Sequence, residues 1–217
     1  MSRHAVTPRR CSDDTGAALI EFALIVPVLA TFMLGTLEFG LAWRDKTSVA
    51  NALRNAARTD SSLSGNRDRL AEYFALDQFR TATANLPRMA LQKLIVYKTD
   101  ATGGFLTGGA NCGTTAPTST GTGVLNHCNI YGPTQLSTMT MANFGTTSTS
   151  TDCTTTTLWD YRWCPITRAN DITTANGPDY LAIRSVYTYT LITKVLPNST
   201  ITMTDTAVIR IEPKVGS

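Results

Sequence analysis

The sequence predicts an α+β protein in which a long N-terminal transmembrane helix precedes a second helix and a small antiparallel β-sheet domain with a disulfide-tethered insertion. Residues 17–43 are apolar except for Glu21 and Glu38. Two C-terminal runs alternate apolar and polar side chains, which is the pattern of half-buried strands. Between these regions, a glycine- and threonine-rich stretch holds four of the five cysteines.

The N-terminal apolar run is long enough to cross a bilayer. As a helix with a rise of about 1.5 Å per residue it measures about 40 Å, against a hydrocarbon core of about 30 Å. A helix that is apolar on all faces over this length is rarely the core of a soluble protein. We therefore predict a membrane helix, loosened or kinked at Pro27 and bounded by Trp43 as an interfacial residue.

Residues 1–16 are predicted to be a short cytoplasmic leader. Arg3, Arg9 and Arg10 favour a cytoplasmic N-terminus under the positive-inside rule. A secretory signal is cleaved after its apolar region, whereas Gly16 precedes the apolar region here. Cleavage at Gly16 would leave the helix on the mature protein. The predicted regions are therefore 1–16 as leader, 17–60 as membrane helix with its extension, and 61–217 as an extracytoplasmic domain with a loop-rich insertion at about 100–178.

The residues around Gly16 also carry a resemblance to a known family. Gly16, four small or apolar residues and then Glu21-Phe22 resemble a type IV prepilin peptidase site. The longer stretch from Gly16, Gly-Ala-Ala-Leu-Ile-Glu-Phe-Ala-Leu-Ile-Val-Pro-Val-Leu, resembles TadE-like pseudopilins of the Flp, or tight-adherence, pilus. The similarity continues through residues 35–40 and 51–58.

That resemblance implies cleavage after Gly16 and a mature chain that begins at Ala17. It also implies a role in pilus assembly at the inner membrane. The partners would be the prepilin peptidase, other Flp/Tad assembly components and the lipid bilayer. The alternative function is an uncleaved signal anchor that presents a binding or adhesion domain outside the membrane.

Glu21 is the unusual residue of the apolar run, because a carboxylate is costly in lipid and usually has a partner or a task. After cleavage, the new ammonium group of Ala17 in one subunit could pair with Glu21 of a neighbour. Such a pair is stronger in a low dielectric than in water. The alternative is that Glu21 lies in the headgroup layer as a solvated charge.

Beyond Trp43, the sequence predicts a helix that continues through Arg58, and a turn over residues 60–65 that Gly65 closes. A second helix is predicted from residue 66 or 67 to about residue 84. Residues 91–98 are predicted to form a strand. Residues 180–196 and 201–212 are predicted to form an antiparallel hairpin around a turn at residues 197–199.

The predicted insertion contains no Asp, Glu, Lys or Arg between residues 101 and 151. Its glycines are expected to interrupt regular structure. The favoured interpretation is a stapled surface loop, and the alternative is a contact surface for pilus partners.

The cysteines predict two disulfides, because an even number lies beyond the membrane helix. Short loops close most easily, which favours the pairs Cys112–Cys128 and Cys153–Cys164 among the possible connectivities. A zinc site formed by His127 and three cysteines is the alternative, although no Cys-x-x-Cys spacing is present.

No catalytic motif is evident. His127 is the only histidine after the leader, and it has no Gly-x-Ser-x-Gly neighbour. A phosphate-binding Gly-Lys-Ser/Thr motif is also missing from the sequence. The net charge of +3 is too small, and too evenly spread, to favour nucleic-acid binding. We therefore expect a protein that is not an enzyme, with no cofactor, no metal and no nucleic-acid partner.

Overall fold

The computed structural model describes residues 14–119, 121–173, 176–192 and 200–213. Residues 1–13 of the predicted leader, with its arginines and Cys11, and the predicted turn at residues 197–199 lie outside these ranges, whereas residues 14–16 belong to the first helix. Helix α1 spans Asp14–Gly65, and helix α2 spans Ala71–Thr83. The chain divides into two units at the boundary between Leu41 and Ala42.

The first unit is the N-terminal part of α1. Its helix continues through Pro27, so this proline does not end the element. A proline removes one backbone hydrogen bond inside a helix. One turn later, the hydroxyl of Thr31 donates to the carbonyl of Pro27 over 2.8 Å.

In the second unit α1 remains helical to Gly65, so the turn predicted for residues 60–65 is wrong. Its polar residues are held by tertiary contacts rather than by turn geometry. Ser61 Oγ donates to the carbonyl of Arg210 over 2.8 Å and accepts from the amide of Glu212 over 3.1 Å. The prediction that α1 ends at Gly65 is confirmed. A Cβ at this position would lie 2.2 Å from the carbonyl oxygen of Glu212, so the two backbones can approach only at a glycine.

Helix α2 begins later than predicted. Arg67 has a φ of 58°, which is incompatible with a helical first turn at that residue. Asp68 instead accepts from the amide of Leu70 over 2.9 Å, and the helix follows. The residues of α2 that are buried are Ala71, Glu72, Ala75, Leu76, Phe79 and Thr83.

Within the described residues, five antiparallel strands form one sheet in the order β2-β3-β1-β4-β5. The strands are β1 Met89–Thr99, β2 Thr122–Val124, β3 Cys128–Tyr131, β4 Tyr180–Thr190 and β5 Thr200–Arg210. The antiparallel pairing predicted for the C-terminal hairpin is confirmed by β4 and β5, whose register places Tyr189 opposite Ile201 and Tyr180 opposite Arg210. Strand β4 ends at Thr190, six residues before the predicted end. Strand β1 is central, with Ile95 opposite Ile130 of β3 and Arg184 of β4.

The two faces of the sheet bury different parts of the chain, because side chains alternate along each strand. On one face, Leu94 and Val96 of β1 belong to a core with α1 and α2, including Leu53 and Leu76. On the other face, Ile95 and Tyr97 belong to a smaller core with these insertion residues: Phe105, Cys112, Val124, Cys128 and Ile130.

The insertion is more regular than predicted, so its description as a surface loop is wrong. Besides β2 and β3 it contains α3 Pro133–Thr138 and short 3₁₀ turns at Ala110–Cys112, Met141–Asn143, Tyr161–Trp163 and Pro165–Thr167. All four residues of β3 are buried. Its glycines allow the pairing rather than interrupting it. Gly123 has a φ of 153°, and a Cβ there would lie 2.0 Å from the carbonyl oxygen of Cys128.

Candidate functional site

The predicted processing site lies on the first turns of α1, on an open helix surface. A Cβ added to Gly16 would meet no atom within 4 Å. Ala17, Glu21 and Phe22 are exposed, with 67% of the Phe22 surface accessible. Ala17 and Glu21 are four residues apart and therefore lie on the same side of the helix. This side of α1 is free of steric obstruction within the described chain.

Glu21 has no hydrogen bond or ion pair with any residue that the structure describes. Its helical neighbours three and four residues away are all apolar: Ala17, Ala18, Leu24 and Ile25. A Lys or Arg at one of those positions could neutralise the carboxylate, but none of the four positions has one. Any charged partner of Glu21 in lipid must therefore come from outside this stretch of helix.

The rest of the N-terminal unit exposes large apolar side chains on all sides. The exposed set includes Leu19, Ile20, Leu24, Ile25, Leu29, Phe32, Met33 and Leu37. In water this surface would be strongly unfavourable. By length and composition α1 is a candidate membrane span. Trp43, 62% exposed, follows this apolar surface.

The second unit contains a group of buried charges that no sequence pattern predicts. We call Asp60, Arg69, Glu72, Asp160 and Arg168 the buried ion cluster. All five side chains form ion pairs within the cluster, and each has 0% of its surface exposed to solvent. Charged residues of these types are usually found at the surface unless they are paired.

Arg168 is the hub of the cluster. It donates to Asp60 over 2.7 Å and to Ser64 over 3.1 Å, both near the end of α1. Its other nitrogen donates to Glu72 of α2 and to the carbonyl of Trp163, the latter over 3.1 Å. The guanidinium also lies 4.2 Å from the ring centroid of Trp163, a cation–π distance. Arg168, a residue of the insertion, therefore connects α1, α2 and the 3₁₀ turn Tyr161–Trp163.

A second arginine fixes the neighbouring part of the insertion. Arg69, between α1 and α2, makes a two-pronged contact with Asp160, with one N–O distance of 2.8 Å. Its Nε donates to the carbonyl of Asp152 over 2.7 Å, and its amide donates to the carbonyl of Ser148 over 2.9 Å. The loop from residue 148 to residue 160 is thus held from the helical side.

Burial and charge pairing act in opposite directions on these groups. Burial raises the pKa of Glu72 to about 8, although Arg168 favours its ionised form. Burial also raises the pKa of Asp160, against the effect of Arg69. For Arg168, burial lowers the pKa, but the carboxylates of Asp60 and Glu72 outweigh it and the pKa lies above its ordinary value.

Both favoured disulfides are present. Cys112–Cys128 joins a 3₁₀ turn to β3, with 6.2 Å between Cα atoms, and Cys153–Cys164 closes the segment that contains Asp160, with 5.7 Å between Cα atoms. The alternative zinc site is therefore not formed, because no thiolate remains for it. Both bridges lie in the insertion, and Cys112–Cys128 belongs to the smaller core.

These features define a class of protein: a disulfide-bonded α+β domain carried on an N-terminal helix that is a candidate membrane span. Residues 16–58 match the family model for TadE-like proteins, which confirms the resemblance for that segment. The match ends inside α1, so α2, the sheet and the insertion lie beyond it. No curated protein and no solved structure matches the chain.

Proposed function

We propose that the protein is a TadE-like minor pilin, or pseudopilin, that acts in the assembly of a Flp-type adhesion pilus and is processed after Gly16. The observation that carries this proposal is the family match over residues 16–58, which begins at the glycine of the predicted processing site. Membership of TadE-like proteins implies a role in Tad/Flp pilus systems. The unobstructed surface around Gly16 supports access by a prepilin peptidase.

In this proposal, the N-terminus is cytoplasmic, α1 crosses the inner membrane and the domain faces the extracytoplasmic side. The two disulfides support an oxidising location for the domain, since such bonds persist mainly outside the cytosol. The partners are the peptidase, the bilayer and other components of the pilus assembly machinery. The role is one of assembly, which requires no catalytic residue of its own.

The decisive experiment compares Gly16→Ala with Gly35→Ala in a host that has an active prepilin peptidase. Neither substitution creates a contact within 4 Å, so neither should affect the fold. The peptidase must bring its catalytic groups close to the backbone at the cut, and a Cβ at residue 16 obstructs that approach. We expect Gly16→Ala to retain the full-length mass, whereas Gly35→Ala matures normally.

N-terminal sequencing and intact mass of the membrane-extracted protein provide the readout. The wild-type chain should begin at Ala17. An intact Met1 in the same host, or a mature start after Ala42, would contradict the pilin proposal. An intact Met1 would favour the signal-anchored adhesion domain.

A further inference from the structure

The buried ion cluster has an imbalance of charge. It contains two guanidinium groups and three carboxyl groups, all with 0% exposure. With every group ionised, the cluster would hold a net charge of −1 away from water. An uncompensated buried charge is strongly unfavourable, and a buried group usually changes its protonation state instead.

The hydrogen bonds identify where the imbalance lies. Asp160 is matched by Arg69, which contacts both carboxylate oxygens. Asp60 and Glu72 remain, and they share the single guanidinium of Arg168. One of these two carboxyl groups is therefore the acceptor of the extra proton.

Glu72 is better placed than Asp60 to hold that proton. A protonated carboxyl group needs an acceptor for its O–H. Glu72 Oε1 contacts the hydroxyl of Tyr131, which can accept as well as donate. On Asp60, Oδ1 already accepts from Arg168 and from the hydroxyl of Ser64, and Ser64 itself accepts from Arg168. The second oxygen of Asp60, Oδ2, is buried, and a proton on it would have no acceptor among the described residues.

The remaining neighbours of Glu72 are fixed as donors. Asn129 Nδ2 donates to the two carboxylate oxygens over 3.1 and 3.0 Å. The orientation of this amide is set by the backbone of Trp163: its N–H donates to Asn129 Oδ1, and its carbonyl accepts from Asn129 Nδ2, each over 3.1 Å. Tyr131 is thus the contact of Glu72 that can change its role when the carboxyl group is protonated.

The geometry points to a proton-linked latch: the insertion docks onto α1 and α2 with the uptake of one proton, which Glu72 holds in the folded domain. The groups that face Glu72 are Asp60 from α1, Arg168 and Asp160 from the insertion, and Tyr131 and Asn129 from β3. Burial raises the pKa of both Glu72 and Asp60, so the choice between them rests on the hydrogen bonds. The inference concerns the fold of the domain and does not rest on the proposed function.

The sign of the pH dependence follows directly. The pKa of Glu72 is raised from 4.5 to about 8, so the folded domain binds more protons than the unfolded chain between these values. Its stability is complete below the lower value and decreases as the pH rises toward the upper one. One linked proton makes the unfolding equilibrium constant increase about tenfold per pH unit in this window.

The test uses the full mature protein in detergent micelles. Urea unfolding of the domain is followed by tryptophan fluorescence at several pH values between about 5 and 8. We expect the tenfold dependence in the wild type and a much flatter dependence in Glu72→Gln. Asp77→Asn is the matched control, because Asp77 lies on the same helix in an exposed ion pair and should leave the slope unchanged.

A second measurement keeps the inference testable if Glu72→Gln does not fold. The chain has four glutamates, at positions 21, 38, 72 and 212, so ¹³C-labelled glutamate gives few carboxyl signals. Single Glu→Gln substitutions at the other three positions assign the Glu72 signal by elimination. A Glu72 signal that is protonated at neutral pH supports the latch. An ionised signal below pH 7, or a pH-independent unfolding constant in the wild type, overturns it.

Discussion

In the proposed membrane topology, carboxyl groups are withdrawn from water in two regions of this protein, and the surroundings of these groups differ. In the apolar part of α1, Glu21 lies among apolar neighbours and has no ion-pair partner among the described residues. In the domain, Asp60 and Glu72 are fully buried, but Arg168 contacts both of them. Glu21 thus has no charged partner within the described residues, whereas Asp60 and Glu72 share one guanidinium within the chain.

Because of this difference, we expect Glu21 to affect assembly and the buried ion cluster to affect folding. The buried charges of the domain contact one another within the chain, so the stability of the domain should depend on its own residues. Glu21 contributes no contact to the domain that the structure describes, so its substitution should affect only what happens between molecules. Substitutions in the two regions should therefore have effects on different measurements.

Arg168→Met should have the largest effect on the domain. It removes the shared partner of Asp60 and Glu72 while nearly preserving side-chain length. Loss of one partner from a buried ion pair typically costs about 3–5 kcal/mol. We expect a decrease of that size in the free energy of unfolding, measured by urea denaturation near neutral pH.

The control is Arg80→Met, which breaks an exposed pair with Asp77 and should cost only about 0–1 kcal/mol. Combining Arg168→Met with Asp60→Asn and Glu72→Gln should recover part of the lost stability. With these three side chains neutral, the only charges left in the buried ion cluster are the paired Arg69 and Asp160. Equal costs for Arg168→Met and Arg80→Met would show that the buried ion cluster does not stabilise the domain.

Removal of the Cys112–Cys128 bridge should have the next largest effect. The bridge closes a loop of only 16 residues. Its removal by double substitution to alanine therefore increases the conformational entropy of the unfolded chain less than the removal of a bridge around a long loop would. We expect the free energy of unfolding to fall by about 2–4 kcal/mol. Unfolding of the oxidised wild type and the double variant provides the comparison.

The bridge and the ion cluster lie in different cores, so their effects should add when combined with Arg168→Met. A marked departure from additivity would mean that the insertion folds as one unit across the sheet. Thiol labelling of the denatured, unreduced wild type should reveal no free cysteine in the domain.

Glu21→Gln should have the smallest effect on the domain and yet impair assembly. Glutamine keeps the shape but cannot neutralise the Ala17 ammonium of a neighbouring subunit, and an unpaired charge in low dielectric is unfavourable. We expect normal membrane abundance and normal urea unfolding, with reduced surface pili. Glu212→Gln, an exposed change outside the membrane helix, is the control.

Pilus yield is measured beside membrane abundance of each variant. Normal pili at normal abundance would remove the pairing role of Glu21 and favour a solvated charge in the headgroup layer. Reduced domain stability in Glu21→Gln would contradict the separation of the two regions.

The elements that could be predicted from the sequence depend on local patterns. The apolar run of α1, the alternation in β4 and β5, and the short loops closed by the two disulfides are each contained in a few residues to a few tens of residues. The signal at Gly16 is equally local. None of these predictions required knowledge of the tertiary structure.

The buried ion cluster could not be predicted in this way. Asp60 and Arg168 are 108 residues apart, and Glu72 and Arg168 are 96 apart. Each residue alone is typical of a surface position, and the turn-like composition of residues 60–65 concealed a helical segment whose serines and Asp60 make tertiary contacts. The strands of the insertion were missed because β3 is only four residues long and pairs with a distant β1.

In the proposed topology, with the domain outside the inner membrane, these separations also set an order for export. The cysteines of each bridge are 16 and 11 residues apart, so either bridge can close soon after its segment has crossed the membrane. Asp60 must wait for Arg168, and Ser61 must wait for Arg210, 149 residues later. During translocation the end of α1 therefore emerges with its polar partners still on the other side of the bilayer. The domain can complete its core only when nearly the entire chain has been delivered, which makes the interval before release the period of greatest exposure to proteases and chaperones.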